Sequence, residues 1–183
     1  MSKGKLVVYT GFSGVGKGTV LKRIRELDDS VKLSVSCTTR EPREGETDGV
    51  EYFFVTKDEF RCLIDEDGFL EYATYCDNYY GTPRKAVEEM LEKGFNVFLE
   101  IEVQGGMQVL SKMPDCVSIF VVPPSIEELE RRLRGRGTED EETILKRLAA
   151  VKTEQEYILN YEHTVLNDDV DRAAKEIISI IHS

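Results

Sequence analysis

Two hydrophobic periods alternate along this chain. Lys5-Leu-Val-Val-Tyr-Thr10 is a short apolar run of strand type, after which Val20, Leu21, Ile24 and Leu27 recur at helical spacing. Lys32-Leu-Ser-Val-Ser-Cys37 alternates enough to predict one strand, and Tyr52-Phe-Phe-Val55 a shorter one. Thr56-Lys-Asp-Glu59 has the form of a capping box and opens a short helix carrying Phe60, Leu63 and Ile64. Phe69 to Tyr75 and the stretch around Tyr79-Tyr80-Gly81-Thr82 predict a hairpin joined by Asp77-Asn78. A helix with Val87, Met90 and Leu91 follows Pro83 and stops at Gly94.

The strand from Asn96 to Glu102 is apolar except at its end, and a helix from about Gln104 to Lys112 follows it. Ser118-Ile-Phe-Val-Val122 is a continuous apolar run, as in strands covered on both faces. Ser125-Ile-Glu-Glu128 is a second capping box, leading a helix through Leu129 and Leu133 into Arg134-Gly-Arg136-Gly-Thr138. A long charged helix is predicted from about Glu141 to Tyr161, carrying Ile144, Leu145, Leu148 and Val151. His163 to Asn167 is the last strand, and Asp171 to His182 a closing helix with Ala174, Ile177, Ile178 and Ile181 inward.

Strands alternating with helices predict an α/β layer architecture around a parallel sheet. Residues from about 35 to 83 break that rhythm with closely spaced short strands, which predicts a small mixed insert on the main sheet. A chain of 183 residues buries a sizeable core as a single domain. Its net charge of −11 argues against broad nucleic-acid or anionic-membrane binding, since either needs a basic face. Apolar runs stay well short of a membrane span, and the first strand begins too early for a secretory segment, so a cytoplasmic protein is expected. Cys37, Cys62, Cys76 and Cys116 are scattered with no C-x-x-C pair, which suggests neither zinc nor a disulfide framework.

The chemistry starts at Gly11-Phe12-Ser13-Gly14-Val15-Gly16-Lys17-Gly18-Thr19, between the first strand and the first helix. That context turns G-x-x-x-x-G-K into a phosphate site: glycines let several N–H groups point inward, and the helix N-terminus adds positive charge. Lys17 supplies an ammonium for the outer phosphates of a nucleotide. Ligands of parallel sheets lie beyond the carboxyl ends of the strands, where four polar clusters fall. Arg40 and Arg43, three apart on one loop, suit fork-like binding of a phosphate, although a solvated loop fits them as well. Arg132, Arg136 and Arg147 form a second set. Their acidic neighbours make a salt-bridged helical surface a rival reading, while glycines on both sides of Arg136 favour a hinge that closes on a transferring phosphoryl group. Glu71, Glu100 and Glu102 need donors: a guanine base offers two, and magnesium-bound water is the alternative for Glu100 and Glu102. Tyr52 and Tyr80 can add phenolic donors to a phosphate, while Ser36 and Thr82 are weak signals alone.

In order, G-F-S-G-V-G-K-G-T, S-C-T-T-R-E-P-R-E-G-E, G-V-E-Y-F-F-V, F-L-E-Y-A, N-Y-Y-G-T, F-L-E-I-E-V-Q-G, P-P-S, R-L-R-G-R-G-T and V-L-N-D-D resemble the guanylate kinases, P-loop enzymes that phosphorylate GMP with ATP. The resemblance implies a P-loop NTPase-type three-layer fold: a core of 1–34, 84–124 and 151–183, a GMP-binding region of about 35–83 and a lid of about 125–150. It assigns Gly11 to Thr19, Arg132 and Asn167 to ATP, with Lys17, Arg43, Arg136 and Arg147 as catalytic. Ser36, Glu71 and Thr82, with Glu100 or Glu102, would address guanine; Arg40, Arg43, Tyr52 and Tyr80 would hold the GMP phosphate. It also implies Mg²⁺ with the ATP phosphates and waters, with Thr19 as a candidate ligand, dGMP as a candidate second acceptor, and a monomer or homodimer.

Four departures stand out. Phe12 replaces a usual proline and bears on loop rigidity, Gly18 replaces a usual serine, and Glu100 and Glu102 replace common aspartates. Gly105-Gly106 is expected to be more flexible than the usual Gly-Ala or Gly-Val. A kinase of another small phosphate acceptor and a non-catalytic binding module are the competing functions.

Overall fold

The computed structural model describes residues 3–135 and 140–183. In chain order the first half contains β1 (Leu6–Gly11), α1 (Lys17–Leu27), β2 (Val31–Leu33), β3 (Cys37–Thr38), β4 (Phe53–Phe54), α2 (Lys57–Asp65), β5 (Phe69–Tyr75) and β6 (Asn78–Pro83). The second half contains α3 (Arg84–Glu92), β7 (Asn96–Glu100), α4 (Val103–Lys112), β8 (Val117–Val122), α5 (Ile126–Gly135), α6 (Glu141–Gln155), β9 (His163–Leu166) and α7 (Val170–His182).

Five parallel strands form the main sheet in the order β2-β7-β1-β8-β9. β1 is central, and every one of its residues is buried. That explains its unbroken apolar character, because layers cover both faces of a parallel sheet. α1 packs on α7. The crossover from β1 to β2 runs in the opposite direction to that from β7 to β8, so right-handed connections put α1 and α4 on opposite faces. Tyr9 of β1 stands beside Glu100 of β7, and Gly11 beside Val121 of β8, so the strand ends that carry polar residues meet at one edge. A second, mixed sheet in the order β4-β3-β6-β5 forms the insert and has its own apolar cluster of Cys37, Phe60 and Phe69. Phe60 stacks against Phe69 and Tyr79 with ring centroids 4.3 and 5.3 Å apart.

Three local expectations change. The strand predicted over 32–37 is two strands in different sheets: Ser34 N donates to Phe98 O, the last bond to the main sheet, and Ser36 O already accepts from Phe53 N in the insert. Alternation cannot register a change of partner. The long helix ends at Gln155 rather than Tyr161; Tyr157 N bonds back to Glu154 O, and the chain tightens into a 3-10 turn over Ile158–Asn160. Leu145 faces solvent, while Ile144 and Val151 are buried. The Thr56–Glu59 capping box is complete, whereas at Ser125 only the hydroxyl half forms, because Arg131 and Arg132 occupy the Glu128 carboxylate.

Candidate active site

β1 delivers the chain into the glycine loop at the centre of the polar edge. Gly14 and Gly16 have φ of 87° and 99°, a left-handed backbone that disfavours side chains, and Gly16 caps α1. Neither has room for a Cβ: at Gly14 it would run into Leu133 of α5, and at Gly16 it would lie 2.8 Å from Asn167 Nδ2. Phe12 is anchored rather than loosened, its buried ring edge-on to Phe120 at 5.3 Å. Lys17 Nζ donates to the carbonyl oxygens of Gly11 and Phe12 at 2.9 and 3.2 Å, which holds the ammonium over the loop. Gly18 and Thr19 lie exposed in the first turn of α1.

Side chains from three later elements grip this loop. Val15 is buried, and its carbonyl accepts from Asn167 Nδ2 at 2.8 Å and from Arg132 Nη1 at 3.3 Å. Arg132 Nη2 also donates to Asn167 O, so both predicted nucleotide residues are bonded to the loop itself. Arg147 of α6 donates to Ser13 Oγ at 3.0 Å. Glu154, also on α6 and not foreseen, accepts from Ser13 N at 3.4 Å. Arg136 lies outside the described residues.

A wider cleft of about 550 Å³ opens between the insert and the polar edge, lined in part by Ser36, Tyr52, Glu71, Tyr80, Glu100 and Glu102. Alternation along β5 points Glu71, Ala73 and Tyr75 to one face, opposite Thr82, Tyr80 and Asn78 of β6. Glu71 is buried, and Thr82 Oγ1 donates to its carboxylate at 2.5 Å from beneath. Thr82 therefore acts through Glu71. Burial pushes the Glu71 carboxyl up, Thr82 opposes the shift, and Glu102 adds to it. Arg40 Nη2 donates to both carboxylate oxygens of Glu46 at 2.9 Å, and its guanidinium lies over the Tyr52 and Phe54 rings, while Arg43 is exposed on the same loop.

Glu100 joins the two halves. It lines the wide cleft and also a smaller one of about 410 Å³ bounded by Gly14, Gly16, Lys17, Gly18 and Thr19. A Cβ on residue 18 would be only 3.6 Å from Glu100 Oε1, so the longer carboxylate approaches the place where a serine side chain would stand. Solvent reaches Glu100, yet the cleft walls remove enough water to raise its carboxyl, and Lys17 pulls it back down. Burial and Glu100 together keep the Tyr9 phenol protonated, and its hydroxyl donates to Lys17 O at 3.2 Å.

Glu46, Gln104 and Glu154 were assigned no role from the sequence. Gly105 and Gly106 are close-packed rather than flexible: a Cβ on Gly105 would lie 2.8 Å from the Glu71 carboxylate, and one on Gly106 would overlap the Tyr161 hydroxyl. Glu154 did leave a signal, as a carboxylate on the inward stripe that Ile144, Leu148 and Val151 make apolar.

With this geometry in view, the family model for guanylate kinase matches residues 3–183. A guanylate kinase of Caldanaerobacter subterraneus subsp. tengcongensis is 50% identical over 179 residues, covering 98% of this chain and 87% of that one. A guanylate kinase of Clostridioides difficile is 51% identical over 183 residues, covering 100% and 89%. The crystal structure of guanylate kinase from Anaplasma phagocytophilum superposes with a TM-score of 0.75 at 33% identity, covering 99% of this chain and 86% of that one. Among the described residues, no helix is long and apolar enough to cross a membrane.

Proposed function

This chain belongs to the guanylate kinase family, and from that premise we propose how its two clefts share the transfer of the γ-phosphoryl of ATP to GMP, giving ADP and GDP. The glycine loop and Lys17 bind the ATP phosphates. The wide cleft takes GMP, with Ser36 and Glu71 on guanine, joined by Glu100 or Glu102, and with Arg40, Arg43, Tyr52 and Tyr80 on the phosphate. Asn167 and Arg132 serve ATP by shaping the loop at Val15.

The observation that carries this reading is the buried Glu71 carboxylate, held by Thr82 on the floor of a cleft that shares Glu100 with the glycine loop. A carboxylate fixed there accepts from two adjacent N–H groups on the Watson–Crick edge of guanine. Adenine offers an acceptor nitrogen in the same position and is repelled. Catalysis then asks mainly for alignment and positive charge: the acceptor phosphate oxygen attacks in line while Lys17 and Arg147 stabilise the transferring group. Arg136 on the lid, about 125–150, adds a further cation, and the region of about 35–83 closes on GMP.

The donors beside the loop fit a magnesium ion, because Thr19 and Glu100 offer hard oxygens and Gly18 offers no side chain. Among the described residues no group of three or more His, Cys, Asp or Glu could hold a metal. Thr19 and Glu100 would hold such an ion directly or through water, and it would supply positive charge against the phosphates during transfer. The protein works in the cytoplasm in purine nucleotide metabolism. Comparing GMP, dGMP, AMP and UMP as acceptors in a coupled ADP-release assay tests the reading: GMP should lead, with dGMP as the secondary substrate, and equal use of AMP would refute the guanine assignment.

A further inference from the structure

The inward stripe of α6 runs Ile144, Arg147, Leu148, Val151, Glu154, and Ile144 and Val151 are buried in the main core. Arg147 and Glu154, two turns apart, interrupt that apolar face with charge, and both end on Ser13. Arg147 meets its hydroxyl and Glu154 its amide. An amide of a glycine loop is a donor for phosphate oxygens, so a carboxylate bonded to it stands in for one. Two anions cannot use the same N–H, and like charges this close disfavour one another.

From this geometry we infer that Glu154 is a positioning residue that competes with the donor phosphates for the Ser13 amide. It ties α6 to the glycine loop before loading, and the arriving phosphates displace it, so it sets donor affinity and couples loading to the helix that carries Arg147. The inference rests on the loop being the ATP site. Among the described residues, Glu154 is faced by Ser13 of the loop, Lys17 of α1 and Glu102 at the start of α4, with Arg147 on its own helix meeting the same Ser13. Burial raises the Glu154 carboxyl, Ser13 and Lys17 lower it, and Glu102 raises it. A phosphate beside it raises it further, so donor binding favours the protonated or displaced side chain.

The test is calorimetric titration of ADP into the full-length wild type, Glu154→Gln and Glu154→Ala, without GMP, alongside Lys17→Met and with melting curves to confirm folding. Both Glu154 variants should bind ADP more tightly at pH 8, by about tenfold if the two anions cost each other one pKa unit. Wild-type affinity should strengthen more steeply than that of Glu154→Gln as pH falls; the phosphates' own titration is common to both. In steady state KM for ATP should fall while KM for GMP holds, a gain that a merely structural contact cannot produce. Unchanged or weaker ADP binding in both variants, with binding lost in Lys17→Met, would overturn the inference and leave the ATP site intact. ADP binding that Lys17→Met leaves unaltered would overturn both.

Discussion

The glycine loop and the wide cleft recognise two phosphorylated ligands by opposite means. The loop works through its backbone. Gly14 and Gly16 supply a left-handed path, and Val15, Asn167 and Arg132 spend their polar groups on holding it. The cleft works through side chains that strand alternation turns to one face, with Glu71 pinned by Thr82 and Arg40 by Glu46. A backbone site reads charge and shape, which all nucleoside triphosphates share; a carboxylate aimed at a base edge reads identity. Damage to the loop should therefore abolish donor use, whereas damage to the cleft should shift acceptor affinity and choice.

The sharpest separation comes from Lys17→Met. Turnover should fall about a hundred- to a thousandfold, as when one preorganised transition-state donor is removed, while GMP binding measured directly stays near wild type. A parallel loss of GMP binding would merge the two regions. Glu71→Gln should do the reverse, raising KM for GMP about ten- to a hundredfold, the scale of hydrogen bonds to a charged group, with ATP affinity unchanged. The same carboxyl predicts a pH effect. Its pKa is raised by burial and guanine needs its ionised form, so GMP affinity should weaken as pH falls through a value above the ordinary carboxylate range. Glu71→Gln should flatten that profile.

Gly16→Ala tests the backbone argument. A left-handed residue costs about 1–2 kcal/mol, and the Cβ would meet Asn167, so ATP affinity should drop about tenfold with a lower melting temperature. GMP affinity should be spared. The smallest effect is expected of Glu46→Gln, which loosens Arg40. The two side chains are 16% and 17% exposed, and Gln keeps an acceptor for Arg40, so KM for GMP should rise no more than a few-fold, on the order of 1 kcal/mol. A change in KM for ATP instead would break the division between the regions.

The sequence alone determined the alternation of strands and helices, the mixed insert, the glycine loop and the family, because each is written in contiguous residues whose periodicity or spacing has a local cause. Phe60, Leu129 and Ile177 could be assigned to the core from periodicity with no knowledge of their neighbours. Tertiary structure decided what depends on partners far along the chain. It split the strand at 34–36 between two sheets, because its hydrogen-bonding partner changes there. It turned Asn167 and Arg132 onto the Val15 carbonyl, 152 and 117 residues away. It set Gly105 beneath Glu71, made Gly106 a fit for Tyr161 rather than a loose joint, and brought Glu154 to Ser13 across 141 residues. These are side-chain approaches across separate layers, which hydrophobic periodicity does not encode; only the packing of α4, α5, α6 and β9 around one sheet edge creates them.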